Sequence, residues 1–88
     1  MTDVIDNESH HRYELADESG AITFANYRIE GDKVLITHVE APLELRGSGS
    51  AGRLMQGILE LTQAAGQTIV PICPYAVAWL RKHDYKAG

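Results

Sequence analysis

Glu44-Leu45-Arg46-Gly47-Ser48-Gly49-Ser50-Ala51-Gly52 is the stretch from which the rest of the chain is read, a glycine and serine loop running into an apolar-periodic helix that ends near Ala65. Three glycines and two serines between a strand and a helix leave several backbone N–H groups unshielded by side chains. These groups converge at the positive end of a helix dipole, so the loop is an anion cradle. Arg46 at its mouth adds a full positive charge and a fork of donors suited to phosphate, which makes a cofactor phosphate the expected anion.

Three phosphate-loop patterns compete for this stretch. A P-loop needs Lys followed by Ser or Thr after its last glycine, and Gly52 is followed by Arg53-Leu54. Gly47, Gly49 and Gly52 satisfy the letters of the dinucleotide fingerprint, but that fold requires an acidic residue on the following strand. The run Thr68-Ile69-Val70-Pro71-Ile72, ending in Cys73, has none. The third pattern is Arg-x-x-Gly-x-Ala at Arg46, Gly49 and Ala51, which resembles the acetyl-CoA pyrophosphate loop of GNAT-type N-acetyltransferases. The plain alternative is a tight strand-to-helix turn that binds nothing. Against it stands Gly52, inside the helical stretch, where glycine costs roughly 1 kcal/mol relative to Ala and a close backbone approach would explain the cost.

Upstream of the loop the pattern is β-rich. Residues 12–16 read as a short extended segment, Asp17-Glu18-Ser19-Gly20 as a turn, residues 21–30 as a second strand, Gly31-Asp32 as a tight turn, and residues 33–40 as a third strand. These make an antiparallel three-strand meander. On the third strand the two-residue period puts Val34, Ile36, His38 and Glu40 on one face, so two ionisable groups end an apolar stripe shortly before the loop. His38 or Glu40 would then take a proton from an attacking amine, or each is a hydrogen-bonded structural residue at the rim of the sheet. Residues 1–10 read as a polar lead-in that frays, separate from a single domain over residues 11–88. His10-His11 has no spaced partner for a metal, and none is expected.

Downstream, Ala51, Leu54, Met55, Ile58, Leu61, Thr62 and Ala65 recur at spacings of three and four, the stripe of a helix that packs on the sheet. Gly66 caps it, and residues 68–72 form a buried strand parallel to the third. Pro74 suits the first position of a C-terminal helix ending in Arg81-Lys82-His83. Cys73 therefore stands at a helix N-terminus, where thiolate is favoured, and also at the carboxyl edge of a parallel strand. A lone cysteine is equally a small buried hydrophobe. The fold class expected is α/β with a mixed sheet.

Composition sets the outer limits. Eighty-eight residues allow one domain, and 44% hydrophobic with 23% charged residues is ordinary for a globular chain. A net charge of -4 without basic runs argues against nucleic acid. One cysteine makes no internal disulfide, and neither a membrane span nor a signal peptide is seen, so the cytoplasm is the expected compartment.

Taken together, His38-x-Glu40-x-Pro42-x-Glu44-Leu45-Arg46-Gly47-x-Gly49, then the helix, then Pro71-x-Cys73-Pro74-Tyr75 and a late His83 resemble the short single-domain GNAT-related N-acetyltransferase-like proteins. The resemblance spans residues 13–85 and implies a minimal GNAT-like core without the first helices and last strands of larger members. It implies acetyl-CoA as cofactor, its pyrophosphate on the backbone of Arg46, Gly47, Ser48, Gly49, Ser50 and Ala51, and its pantetheine arm between the strands ending at Glu40 and Cys73. Two departures stand out: His83-Asp84-Tyr85 where the family ending resembles His-Pro-Glu-Tyr, and small Ser48 and Ser50 where basic or branched residues are usual.

The function expected is acetyl transfer to a primary amine, with an exposed amine of a protein or peptide favoured because the acceptor-binding helices are absent. The protein is expected to work as a monomer or weak dimer. In a direct route, Glu40 or His38 removes the amine proton, N–H groups from Val39, Glu40 and Ala41 polarise the carbonyl, and Tyr75 protonates the leaving thiolate. In a covalent route, Cys73 is acetylated first. A non-catalytic acyl-CoA-binding or sensing module is the alternative, and a redox-sensing thiol protein built on Cys73 is a third.

Overall fold

A computed structural model describes residues 2–85, so Met1 of the expected lead-in and residues 86–88 of the expected domain lie outside the described residues. The elements in chain order are β1 (Ile5–Asn7), β2 (Arg12–Ala16), β3 (Ile22–Glu30), β4 (Lys33–Glu40), α1 (Ser50–Ala64), β5 (Thr68–Pro71) and α2 (Pro74–Lys82), with 3-10 turns at Glu8–His10 and Leu43–Leu45. They form one five-stranded sheet in the order β1-β2-β3-β4-β5, with β1 to β4 antiparallel and β5 parallel to β4. Three meander strands, the helix, the parallel strand and the final helix lie where the sequence pattern puts them.

The first residues differ from the expected fraying lead-in. Val4 is buried in the core, and Ile5–Asn7 pairs with β2 from Ile5↔Glu14 to Asn7↔Arg12. Polar side chains that looked solvated are instead bonded: the Tyr27 hydroxyl donates to Asp6 Oδ1 at 2.5 Å, and Asn7 Nδ2 donates to Glu14 Oε2 at 3.1 Å. Gly57 completes the seat. A Cβ there would lie 2.7 Å from Val4 Cβ, so the missing side chain on α1 is the space that residues 2–4 occupy.

Both helices pack on one face of the sheet. Leu54, Met55 and Ile58 of α1 and Ala76 and Leu80 of α2 share a single core with Tyr13, Ala25, Val34, Ile36 and Ile69. The opposite face carries no helix among the described residues. It presents Ile5, Ile22 and Ile72, all exposed, and the Arg12 guanidinium lies 4.8 Å from the Phe24 ring centre. Helix α1 ends as expected, with Gly66 at φ +70° and Gln67 N–H donating to Thr62 O at 2.8 Å. The hydroxyl of Tyr85 accepts a hydrogen bond from Ile69 N–H at 2.8 Å, which gives the C-terminal tyrosine a structural role.

Burial of Tyr13 pushes its phenol from 10.0 up to about 12. The folded state therefore holds the proton more tightly than the unfolded chain. The associated stability is fully present below pH 10 and is lost as the pH rises through 12. Urea unfolding across that range should show this loss in the wild type and a shallower decline in Tyr13→Phe.

Candidate active site

The register of β3 with β4 slips once. Asn26 pairs with His38 and Tyr27 with Ile36, so Thr37 is an extra residue, a β-bulge on β4. One added residue reverses the alternation beyond it. Val34 and Ile36 face the helices, and after the bulge Val39, opposite Ala25, takes the helix side while His38 and Glu40 turn to the uncovered face beside Asn26 and Phe24. The expected single stripe of Val34, Ile36, His38 and Glu40 is thus corrected, because a period-two reading cannot anticipate an inserted residue. His38 Nε2 lies 3.0 Å from Glu40 Oε1, and both side chains are about half exposed.

At the same point β4 and β5 part. Their pairing ends at Ile36↔Pro71, and Ile36 O closes it by accepting from both Ile72 N–H at 2.9 Å and Cys73 N–H at 3.0 Å. Cys73 then caps α2 from an extended conformation, and Pro74 starts the helix. Residues 37–40 of β4 have no strand on that side. The Tyr27 N–H is directed to His11 O on the other flank, so the alternation of the antiparallel ladder directs Phe24 and Asn26 at Glu40 and His38, and turns the backbone of Val39 into the gap that β5 has left.

The loop lies at the end of this gap. Gly47 and Gly49 have φ of +83° and +85°, a conformation glycine adopts without Cβ strain. Gly49 is the N-cap of α1 and has no side chain to cap the helix, while the N–H of Ser50, the first helical residue, donates to Ser48 Oγ at 3.3 Å. The start of α1 borders a groove of about 330 Å³ lined by Ala41, Leu45, Arg46, Gly47, Gly49, Ser50, Ala51, Gly52 and Tyr75.

Most of the residues singled out from the sequence meet here, while Ser48 and Cys73, like Val39, His38 and Glu40, do not line the groove. Ala41, Arg46, Gly47, Gly49, Ser50 and Ala51 line the groove. Ser50 is buried, with its Oγ accepting from Thr23 Oγ1 at 3.0 Å, so its side chain ties the loop to β3 while its backbone faces the groove. Ser48 donates to Leu45 O at 2.5 Å and lines a separate cavity beyond the loop, with Asp17, Glu18 and Arg53. Cys73 is 8% exposed and belongs to the apolar core beneath the parting strands. Tyr75 is 41% exposed, and partial desolvation raises its phenol above the ordinary range. Leu45 was not anticipated from the sequence, and no local signal distinguishes it from any other loop leucine.

Gly52 was flagged by its helix cost. A Cβ there would lie 3.4 Å from Trp79 Nε1 and 3.9 Å from the Tyr75 hydroxyl, ordinary contact distances. Packing between the helices does not require a glycine at this position, which lines the groove.

The fold is shared with a solved structure. The NMR solution structure of a GCN5-like N-acetyltransferase candidate from Staphylococcus aureus superposes with a TM-score of 0.64 at 22% identity, over 96% of this chain and 84% of that one, and so shares the fold. No curated protein matches the chain. The profile of the GCN5-related N-acetyl-transferase family matches residues 12–87. The chain belongs to that family, and its general role is that of an acetyltransferase. Among the described residues no helix is long and apolar enough to cross a membrane.

Proposed function

We propose that the protein binds acetyl-CoA in the groove at the start of α1 and transfers its acetyl group to a primary amine that approaches from the uncovered face of the sheet. The separation of β4 from β5 after Ile36 is the observation that carries this reading. It opens a passage from the phosphate cradle on the helix side to the His38–Glu40 pair on the other side. The residues present fit the cofactor: bare N–H groups and Arg46 suit its phosphates, and the Val39 backbone suits the amides of its arm. When bound, acetyl-CoA supplies the activated acyl group.

The chain's own residues then divide the proton work. Glu40, held by His38, accepts the proton from the amine nitrogen as that nitrogen bonds to the acyl carbon. The N–H of Val39 faces the developing oxyanion. Tyr75, which borders the groove and is protonated at neutral pH as an ordinary phenol is, donates to the sulfur as the carbon–sulfur bond breaks. Burial of Cys73 in the core favours this direct route over an acetyl-cysteine. An uncovered acceptor side suits an amine presented by a protein or peptide.

Acetylation of a panel of peptide and small amines, followed by mass, is the test. Glu40→Gln should leave CoA affinity near wild type and lower kcat by roughly 10²-fold or more. CoA binding with no acetylated amine in the panel, and no effect of Glu40→Gln, would instead support a binding or sensing module, the reading favoured by the absence of elements over the acceptor face. A stable acetyl adduct lost in Cys73→Ala would restore the covalent route.

A further inference from the structure

Helix α2 carries an aromatic stripe of which the transfer chemistry uses only the first member, Tyr75. Tyr75, Trp79 and His83 recur every four residues and so share one side of the helix. That side faces the start of α1, since both the Tyr75 hydroxyl and Trp79 Nε1 approach Gly52. Beyond Tyr75, which borders the groove, the Trp79 and His83 rings stack with centroids 3.9 Å apart and planes at 23°. Trp79 is half-buried against the core and holds its place, while His83 is exposed and leaves an outer ring face open.

We propose that this stacked indole–imidazole pair receives the purine base at the nucleotide end of the donor, and that it makes the protein select coenzyme A over thioesters carried on pantetheine alone. The inference rests on the reading that the groove at Gly47 to Gly52 holds the donor's phosphates. A chain leaving that cradle along the bare backbone of Gly52 meets Trp79 next, and no side chain stands between them at that residue. A flat, preordered pair offers a base a stacking surface with little ordering cost, and one open imidazole face is enough to extend the stack. Cradle and platform would then hold different parts of one ligand, and only donors with a nucleotide engage both.

Calorimetric titration of CoA and of 4′-phosphopantetheine, which lacks the base together with the ribose, its 3′-phosphate and one phosphate of the pyrophosphate, isolates the platform when both ligands are compared across wild type and the variants of the stacked pair. Wild type should bind CoA more tightly than phosphopantetheine, and Trp79, the only tryptophan of the chain, should change fluorescence with CoA alone. Trp79→Ala should lose roughly tenfold in CoA affinity with phosphopantetheine binding unchanged. Trp79 also packs on the core, so His83→Ala, exposed and outside the core, gives the second reading: a loss of about threefold or more confined to CoA. Equal affinity of wild type for the two ligands, or parallel loss for both in His83→Ala, overturns the platform while leaving the cradle standing. Failure of wild type to bind either ligand removes the cradle itself.

Discussion

Alanine at Gly57 is expected to unfold the N-terminal strand and destabilise the whole domain by about 2–4 kcal/mol. Mid-helix glycines usually respond in the other direction, gaining about 1 kcal/mol from alanine. Here the added methyl would sit 2.7 Å from Val4 Cβ and closer still to Val4 Cγ2 and Thr2 Oγ1. Helix α1 is fixed by Leu54, Met55 and Ile58 in the core, so residues 2–4 must yield. Val4 would then lose its burial, and Asp6 its bond from Tyr27. Urea unfolding gives the magnitude, and hydrogen exchange at Ile5 and Asn7, the β1 residues opposite Glu14 and Arg12, shows whether β1 has left the sheet. A Gly57→Ala protein as stable as wild type would mean that residues 2–4 do not pack on α1.

The second large effect concerns ligand binding. Gly49→Asp is expected to leave the fold nearly intact and to weaken CoA by about 100-fold or more. Aspartate visits the left-handed conformation more readily than most side chains, and a carboxylate at a helix N-terminus is electrostatically welcome. Its Cβ would meet Arg53 Nη1 at 3.4 Å, a cation able to pair with it. The charge that benefits the helix is the charge that repels phosphate from the same N–H groups. Calorimetry with CoA, paired with thermal melting, separates the two. A wild-type Kd in a folded Gly49→Asp protein would show that the loop is only a turn.

The meander from Arg12 onward, both helices and the parallel strand were legible because each is written in local pattern and punctuation: Asp17 to Gly20, Gly31, Pro42, Gly66 and Pro74. Strand β1 was not. It is three residues long, and Asp6 and Asn7 look like solvent-facing groups until Tyr27 and Glu14, distant in sequence, bond them. The loop stood out in the sequence as a phosphate cradle, and Arg46, Gly47, Gly49, Ser50 and Ala51 of it line the groove. The side of the sheet that holds His38 and Glu40 was not, because Thr37 carries no mark of a bulge and the extra residue is visible only in the pairing with β3. Trp79 went unread for a related reason, as its neighbour Gly52 lies in another helix.

A sheet that stays open has two exposed edges, and an edge with free donors invites another chain to add a strand. On β5 the N–H groups of Thr68 and Ile72 turn inward, to Asp32 O and Ile36 O, which leaves positions 69 and 71 facing out. Ile69 spends its donor on the Tyr85 hydroxyl, and residue 71 is proline, which has none. The chain's final tyrosine and that proline together leave the outward positions of β5 without a free donor, so this border offers an added strand no N–H to pair with.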